Sequence, residues 1–164
     1  MPTSFKDILE AFEFVGVSGS LGENLAFLCR RTGKIYWHSE FSDVAELDDE
    51  LPDDVDDEEK YIAIPDKFEL DLGKPLALDF AREWLPGDFD EVRYIFSRKG
   101  AYRKFRALLI RRKALDRWYE FESKATERAL RDWCTAARTR AVSLLRSSTA
   151  SGARTTTRGI LARL

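Results

Sequence analysis

The chain has 164 residues, of which 44% are hydrophobic and 34% charged, and its net charge at pH 7 is −2. At this length, folding buries roughly 70% of the surface of the unfolded chain, so one domain with its own core is expected. The sequence contains no apolar run of about eighteen residues and no leader-like start, which predicts a cytoplasmic protein with no membrane partner.

The small net charge conceals two opposed halves. Residues 1–92 hold 8 Lys/Arg and 24 Asp/Glu, whereas residues 93–164 hold 19 Lys/Arg and 5 Asp/Glu. Such asymmetry indicates either an acidic or nucleic-acid partner for the basic half, or neutralisation of one half by the other.

The first third of the chain predicts one helix and two strands. Ser4 precedes apolar residues at helical spacing up to Phe14, with Asp7 at the third position after the cap, so a capped amphipathic helix is expected. Residues 25–30 and 35–38 are apolar runs on either side of a turn at Gly33. They predict an antiparallel pair of strands.

The segment 43–59 carries eleven acidic residues out of seventeen and no Lys or Arg. We interpret it as a solvated, self-repelling loop. A cation site is the alternative, but a calcium-binding loop needs a glycine at its turn and this segment has none. The sequence therefore predicts neither a metal nor a cofactor. Residues 61–64, which Pro65 ends, predict a third strand.

Helices are predicted for the rest of the chain. The patterns cover 76–85, a segment after a capping Asp88, the segment after Gly100, and about 116–136. Gly100 is expected in a conformation that a side chain would oppose. One stripe of the last helix, which includes Trp118, Phe121 and Trp133, is expected to pack on the sheet.

Together these elements predict an α+β fold, in which four to five helices cover a small antiparallel sheet of about three strands. We expect a single domain over residues 1–138. Residues 139–164 contain five Arg and no acid, and predict a mostly disordered basic tail, although 141–145 would also extend the last helix.

The strongest candidate for binding is a cluster of eight cations within sixteen residues. Several guanidinium groups on one surface would neutralise phosphates without reading a base sequence. The alternative is that these charges form a solvated face or pair with the acidic loop of the same molecule. The eight candidates are Arg98, Lys99, Arg103, Lys104, Arg106, Arg111, Arg112 and Lys113.

Two elements of the basic half, together with segments at 31–34 and 61–65, resemble a family of uncharacterised bacterial proteins. The first is Gly-Ala-Tyr-Arg-Lys-Phe-Arg at 100–106, and the second is Trp-Tyr-Glu-Phe at 118–121. The resemblance covers roughly residues 5–135 and implies a bacterial α+β domain. It implies no activity, so it assigns no catalytic residue.

Three functions are compatible with these patterns. The first is a non-catalytic interaction or regulatory module with a protein partner. The second is a nucleic-acid-associated protein whose basic helix is masked by its acidic loop. The third is a small enzyme that uses the single histidine, His38, with Glu40 or Asp43 as partner. Cys29 and Cys134 are interpreted as small buried thiols, and a disulfide or a reactive nucleophile is the alternative.

Overall fold

The computed structural model describes residues 3–17, 23–40 and 50–151, with side chains up to residue 138. A short 3₁₀ turn, Pro86–Asp88, lies between the second and third α-helices. In this part of the chain the predicted α+β class is confirmed, with five α-helices and one three-stranded sheet. The elements are α1 (Phe5–Gly16), β1 (Asn24–Cys29), β2 (Ile35–Ser39), β3 (Tyr61–Ala63), α2 (Lys74–Trp84), α3 (Phe89–Ile95), α4 (Ala101–Arg111) and α5 (Leu115–Ser151).

The first helix begins where the sequence predicts. The Asp7 amide donates to Ser4 Oγ at 3.2 Å, and the Ser4 amide donates to Asp7 Oδ2 at 2.9 Å. This reciprocal pair satisfies two backbone amides that the helix itself leaves without acceptors. The same hydrogen bonds lower the pKa of the Asp7 carboxyl.

The sheet has the order β2-β1-β3, and both strand pairs are antiparallel. Phe27 of β1 lies opposite Tyr36 of β2 and Ala63 of β3. Alternate residues of β1 point to opposite faces, and Ala26 and Leu28 pack in a cluster with residues of α1 and the second half of α5. The sheet is therefore covered by the first and last helices.

The helices α2, α3 and α4 form a second core with the first half of α5, apart from the sheet. Trp118 lies at its centre, with ring centroids 5.1 Å from Phe105 and 5.3 Å from Phe80, both edge to face. Trp118 was predicted to pack on the sheet, and this is wrong: of the predicted stripe, only Trp133 reaches the sheet cluster. A helix as long as α5 passes from one core to the other.

Two residues with positive φ mark the ends of α4. Gly100 precedes the helix with a φ of 72°, which confirms the prediction of a conformation that opposes a side chain. Lys113 follows the helix with a φ of 55°. The amides of Lys113 and Ala114 donate to the carbonyls of Ile110 and Leu109, the hydrogen bonds of a Schellman motif, in which glycine is the usual residue at the Lys113 position.

The last helix is longer than the sequence analysis predicted. Its expected end was near Ala136 and the following segment was expected to be mostly disordered, but the backbone continues as helix to Ser151. The reason is compositional: no glycine or proline occurs between Leu115 and Ser151, and Gly152 comes directly after it. Residues 152–164, on which the rest of the tail prediction falls, lie outside the described part of the chain.

Candidate interaction surface

The eight predicted cations all lie on the surface, along α4 and the turns at its two ends. They differ in their contacts. Two form ion pairs with α3 or the turn before it, two have a role in local structure, and four project from the start of α4 and the turn that precedes it.

Arg111 and Arg112, at the end of α4, form ion pairs with α3 and with the turn before it. Arg111 Nη2 lies 2.9 Å from Glu91 Oε1, and Arg112 Nη2 lies 2.7 Å from Asp88 Oδ1. The carboxylate of Asp88 raises the pKa of Arg112 through this hydrogen bond. Asp88 was predicted to cap α3 with its side chain, but it makes no capping hydrogen bond because its carboxylate accepts from Arg112 instead. The charges of these two arginines are therefore already paired with carboxylates of the same chain.

Arg98 and Lys113 are also tied to the fold. The guanidinium of Arg98 lies over the ring of Tyr94, 5.3 Å from its centroid. Lys113 occupies the left-handed position that ends α4. Neither residue projects from the middle of the helix.

The other four cations are Lys99, Arg103, Lys104 and Arg106, and none of them forms an ion pair with a carboxylate of the described residues. Arg103 and Arg106 share with Ile110 a stripe of α4 that points away from the core, because these positions are three and four residues apart. The side chain of Ile110 is 56% exposed. We call these four cations and Ile110 the α4 face.

The acidic segment does not neutralise the α4 face in the part that the structure describes, which is residues 50–59. There Lys60 Nζ lies 2.6 Å from Asp54 Oδ2 and 3.5 Å from Asp57 Oδ2. The hydrogen bond from Lys60 lowers the pKa of Asp54. The carbonyl of Glu58 accepts from Arg30, which holds the segment at the end of the sheet. Residues 43–49 lie outside the described range.

His38 lies on β2 opposite Leu25 and is half-buried. Of its two predicted partners, Glu40 accepts a hydrogen bond from the amide of Glu23 at 3.1 Å, and Asp43 lies outside the described residues. Two concave features lie on the surface of the described residues: a cavity at the end of the sheet, beside Arg31, and a depression beside α3, at Tyr94. His38 lines neither of them. Within the described ranges, no three metal-ligating side chains come together.

The structure explains the aromatic positions of the two motifs at 100–106 and 118–121. Phe105 and Trp118 pack edge to face, and Trp118 and Phe121 stack with centroids 6.4 Å apart. Core packing explains why the aromatic residues of the motifs are present. It does not explain Arg103 and Arg106, which belong to the first motif but are exposed to solvent.

No protein-family model, curated protein or solved structure matches this chain. In the described part of the chain, no helix is long and apolar enough to cross a membrane.

Sequence reasoning found the cations of this face but missed Ile110. Ile110 is an apolar residue on the otherwise polar side of an amphipathic helix, and this could have marked it as a contact residue. The polar side is identified only once Leu108 and Leu109 are known to be buried.

Proposed function

We propose that this protein is a non-catalytic interaction module, of the bacterial family that its motifs resemble, and that its α4 face binds an acidic segment of a partner protein. The observation that supports the proposal is the set of four exposed cations without carboxylate partners among the described residues, two of which, Arg103 and Arg106, lie on the same stripe of α4 as exposed Ile110. A patch of this kind attracts carboxylates electrostatically and offers an apolar contact.

Acidic protein is favoured over nucleic acid by the charge of the whole chain and by Ile110. The sequence pI of about 5.6 is below the range typical of nucleic-acid domains, which are usually basic. Exposed Ile110 offers an apolar contact that a phosphate backbone does not use, whereas an acidic protein segment supplies apolar side chains as well as carboxylates.

Nucleic acid remains the second candidate because of one observation. All eight cations between Arg98 and Lys113 are exposed, and phosphates bind such clusters without regard to base sequence.

A labelled peptide with the sequence of residues 43–59 is a suitable probe, since it combines eleven carboxylates with apolar residues such as Leu47 and Leu51. Fluorescence anisotropy measures its binding to the full chain at two salt concentrations. The double reversal Arg103→Glu with Lys104→Glu is expected to weaken binding about tenfold or more, because two attractive contacts become repulsive.

The matched control is Lys6→Glu with Arg128→Glu, which changes the net charge equally at exposed positions on α1 and α5. It should alter affinity by less than about twofold if binding is local. Equal weakening by both variants would reject the α4 face as the site. A different result would be that the protein binds mixed-sequence DNA more tightly than the peptide, and loses that binding only in the Arg103→Glu, Lys104→Glu variant. This result would identify nucleic acid, not protein, as the partner of the α4 face.

A further inference from the structure

A cavity of about 420 Å³ opens at one end of the sheet, between the β1–β2 turn, the start of α1 and the second half of α5. This volume lies in the range of about 300–1,000 Å³ that is typical of small-molecule sites. The cavity is formed by elements remote in sequence from α4 and shares no residue with the α4 face.

Its inner wall is apolar, with contributions from the helix α1, two strands and the helix α5. Leu28 and Ile62 come from neighbouring strands, and Trp133 from α5. Leu28 and Trp133 pack against the sheet cluster, so this part of the wall is held by the core. An apolar body placed here would be removed from water.

The rest of the wall carries three arginines, Arg30, Arg31 and Arg138, and the described lining residues include no Asp or Glu. Arg30 Nε donates to the carbonyl of Glu58 at 2.9 Å, and Arg30 Nη1 donates to that of Ala137 at 3.1 Å. These neutral acceptors fix its guanidinium without cancelling its charge. No carboxylate of the described residues forms an ion pair with Arg31 or Arg138.

The thiol of Cys29, which also lines the cavity, responds to this environment. Burial raises its pKa, but the hydrogen bonds from Thr32 and from the Arg31 amide, together with the charge of Arg31, more than offset that effect and lower the pKa. The hydrogen-bond donors and the positive charge that stabilise negative charge on the Cys29 sulfur would also stabilise the negative charge of an anionic ligand.

We propose that this cavity binds a small amphipathic monoanion, such as a carboxylate on an apolar chain. Its head group lies at Arg31 and Arg138, and its apolar body lies against Leu28, Ile62 and Trp133. Charge complementarity selects the head group, and the apolar wall selects the body.

Three probes that share one alkyl chain test the proposal: octanoate, octanol and octylammonium. Isothermal titration against the full chain should detect octanoate binding. Octanol is expected to bind roughly tenfold or more weakly, because it forms no charge-assisted hydrogen bond, and octylammonium should not bind detectably. Octanoate should also slow the alkylation of Cys29 by iodoacetamide, followed by mass spectrometry.

Two variants locate the site. Arg31→Gln with Arg138→Gln should weaken octanoate binding roughly ten- to a hundredfold and leave octanol unchanged. Both positions are exposed, so the fold is expected to persist. The control, Arg103→Gln with Arg106→Gln, removes the same charge from the α4 face and should have no effect on octanoate.

The proposal is overturned if octanoate does not bind, if octanol binds as tightly, or if the two double variants weaken octanoate equally. Unchanged alkylation of Cys29 at saturating octanoate would also reject this cavity as the site. These outcomes are independent of peptide binding to the α4 face, which uses other residues.

Discussion

Replacing Trp118 by alanine should destabilise the domain by about 3–5 kcal/mol. The ring is only 6% exposed and packs against Phe80 and Phe105. Burial of a tryptophan removes about 150–250 Å² from water, which at about 25 cal/mol per Å² gives an upper value of about 4–6 kcal/mol. The alanine side chain still buries part of this area, which reduces the loss of stability. The cavity left in the core increases the loss again. The result would be a large share of the roughly 5–15 kcal/mol stability typical of a domain.

Urea unfolding at equilibrium, followed by far-UV circular dichroism, measures this loss. Tyr119→Ala is the matched control, because Tyr119 is the next residue of α5 and is 49% exposed. It should cost less than about 1 kcal/mol. A Trp118→Ala loss below about 1 kcal/mol would refute the assignment of Trp118 to the centre of the helical core.

Three further predictions concern individual residues. Gly100→Ala should cost about 1–2 kcal/mol in urea unfolding, because its φ of 72° opposes a side chain, whereas Gly16→Ala, which meets no neighbour within 4 Å, should not destabilise; equal effects would contradict this reasoning. Lys113→Gly should stabilise by roughly 1 kcal/mol, because glycine adopts the left-handed end of α4 without strain, and a loss of stability would show that Lys113 makes a needed contact. Glu122→Gln should raise the melting temperature at pH 7. Partial burial raises the pKa of the Glu122 carboxyl in the folded state, even though the residue is partly exposed, so its ionised form slightly destabilises the fold above the unfolded pKa of about 4.3. The gain should vanish near pH 3, where both states are protonated. A gain that persists at low pH would contradict this cause.

Much of the fold could be predicted from local signals in the sequence. The Ser4 and Asp7 capping box, the turn at Gly33 and the break at Gly100 act over a few residues, and each lies where the sequence predicts. The packing of α5 could not be predicted in the same way. One aromatic stripe of α5 contributes residues to two separate cores. The spacing of the stripe does not indicate in which core Trp118 is buried.

The candidate surface was predictable in composition but not in detail. A count of charges finds Arg103 and Arg111 equally, but only the three-dimensional arrangement shows that Arg111 is paired with Glu91 and Arg103 is not. The cavity at the end of the sheet was not predictable, because Arg31 and Arg138 are more than a hundred residues apart. Proximity between such positions comes from tertiary packing, which local patterns do not encode.

Amide chemical-shift mapping by NMR tests whether the α4 face is the surface that binds the acidic segment. The peptide of residues 43–59 is added to the isotope-labelled full chain, and shifts are followed by NMR. The proposal predicts that the largest changes lie between Lys99 and Ile110 and disappear in the Arg103→Glu, Lys104→Glu variant. Shifts that concentrate elsewhere, around Lys60 or the cavity arginines for example, or the absence of shifts at saturating peptide, would contradict it.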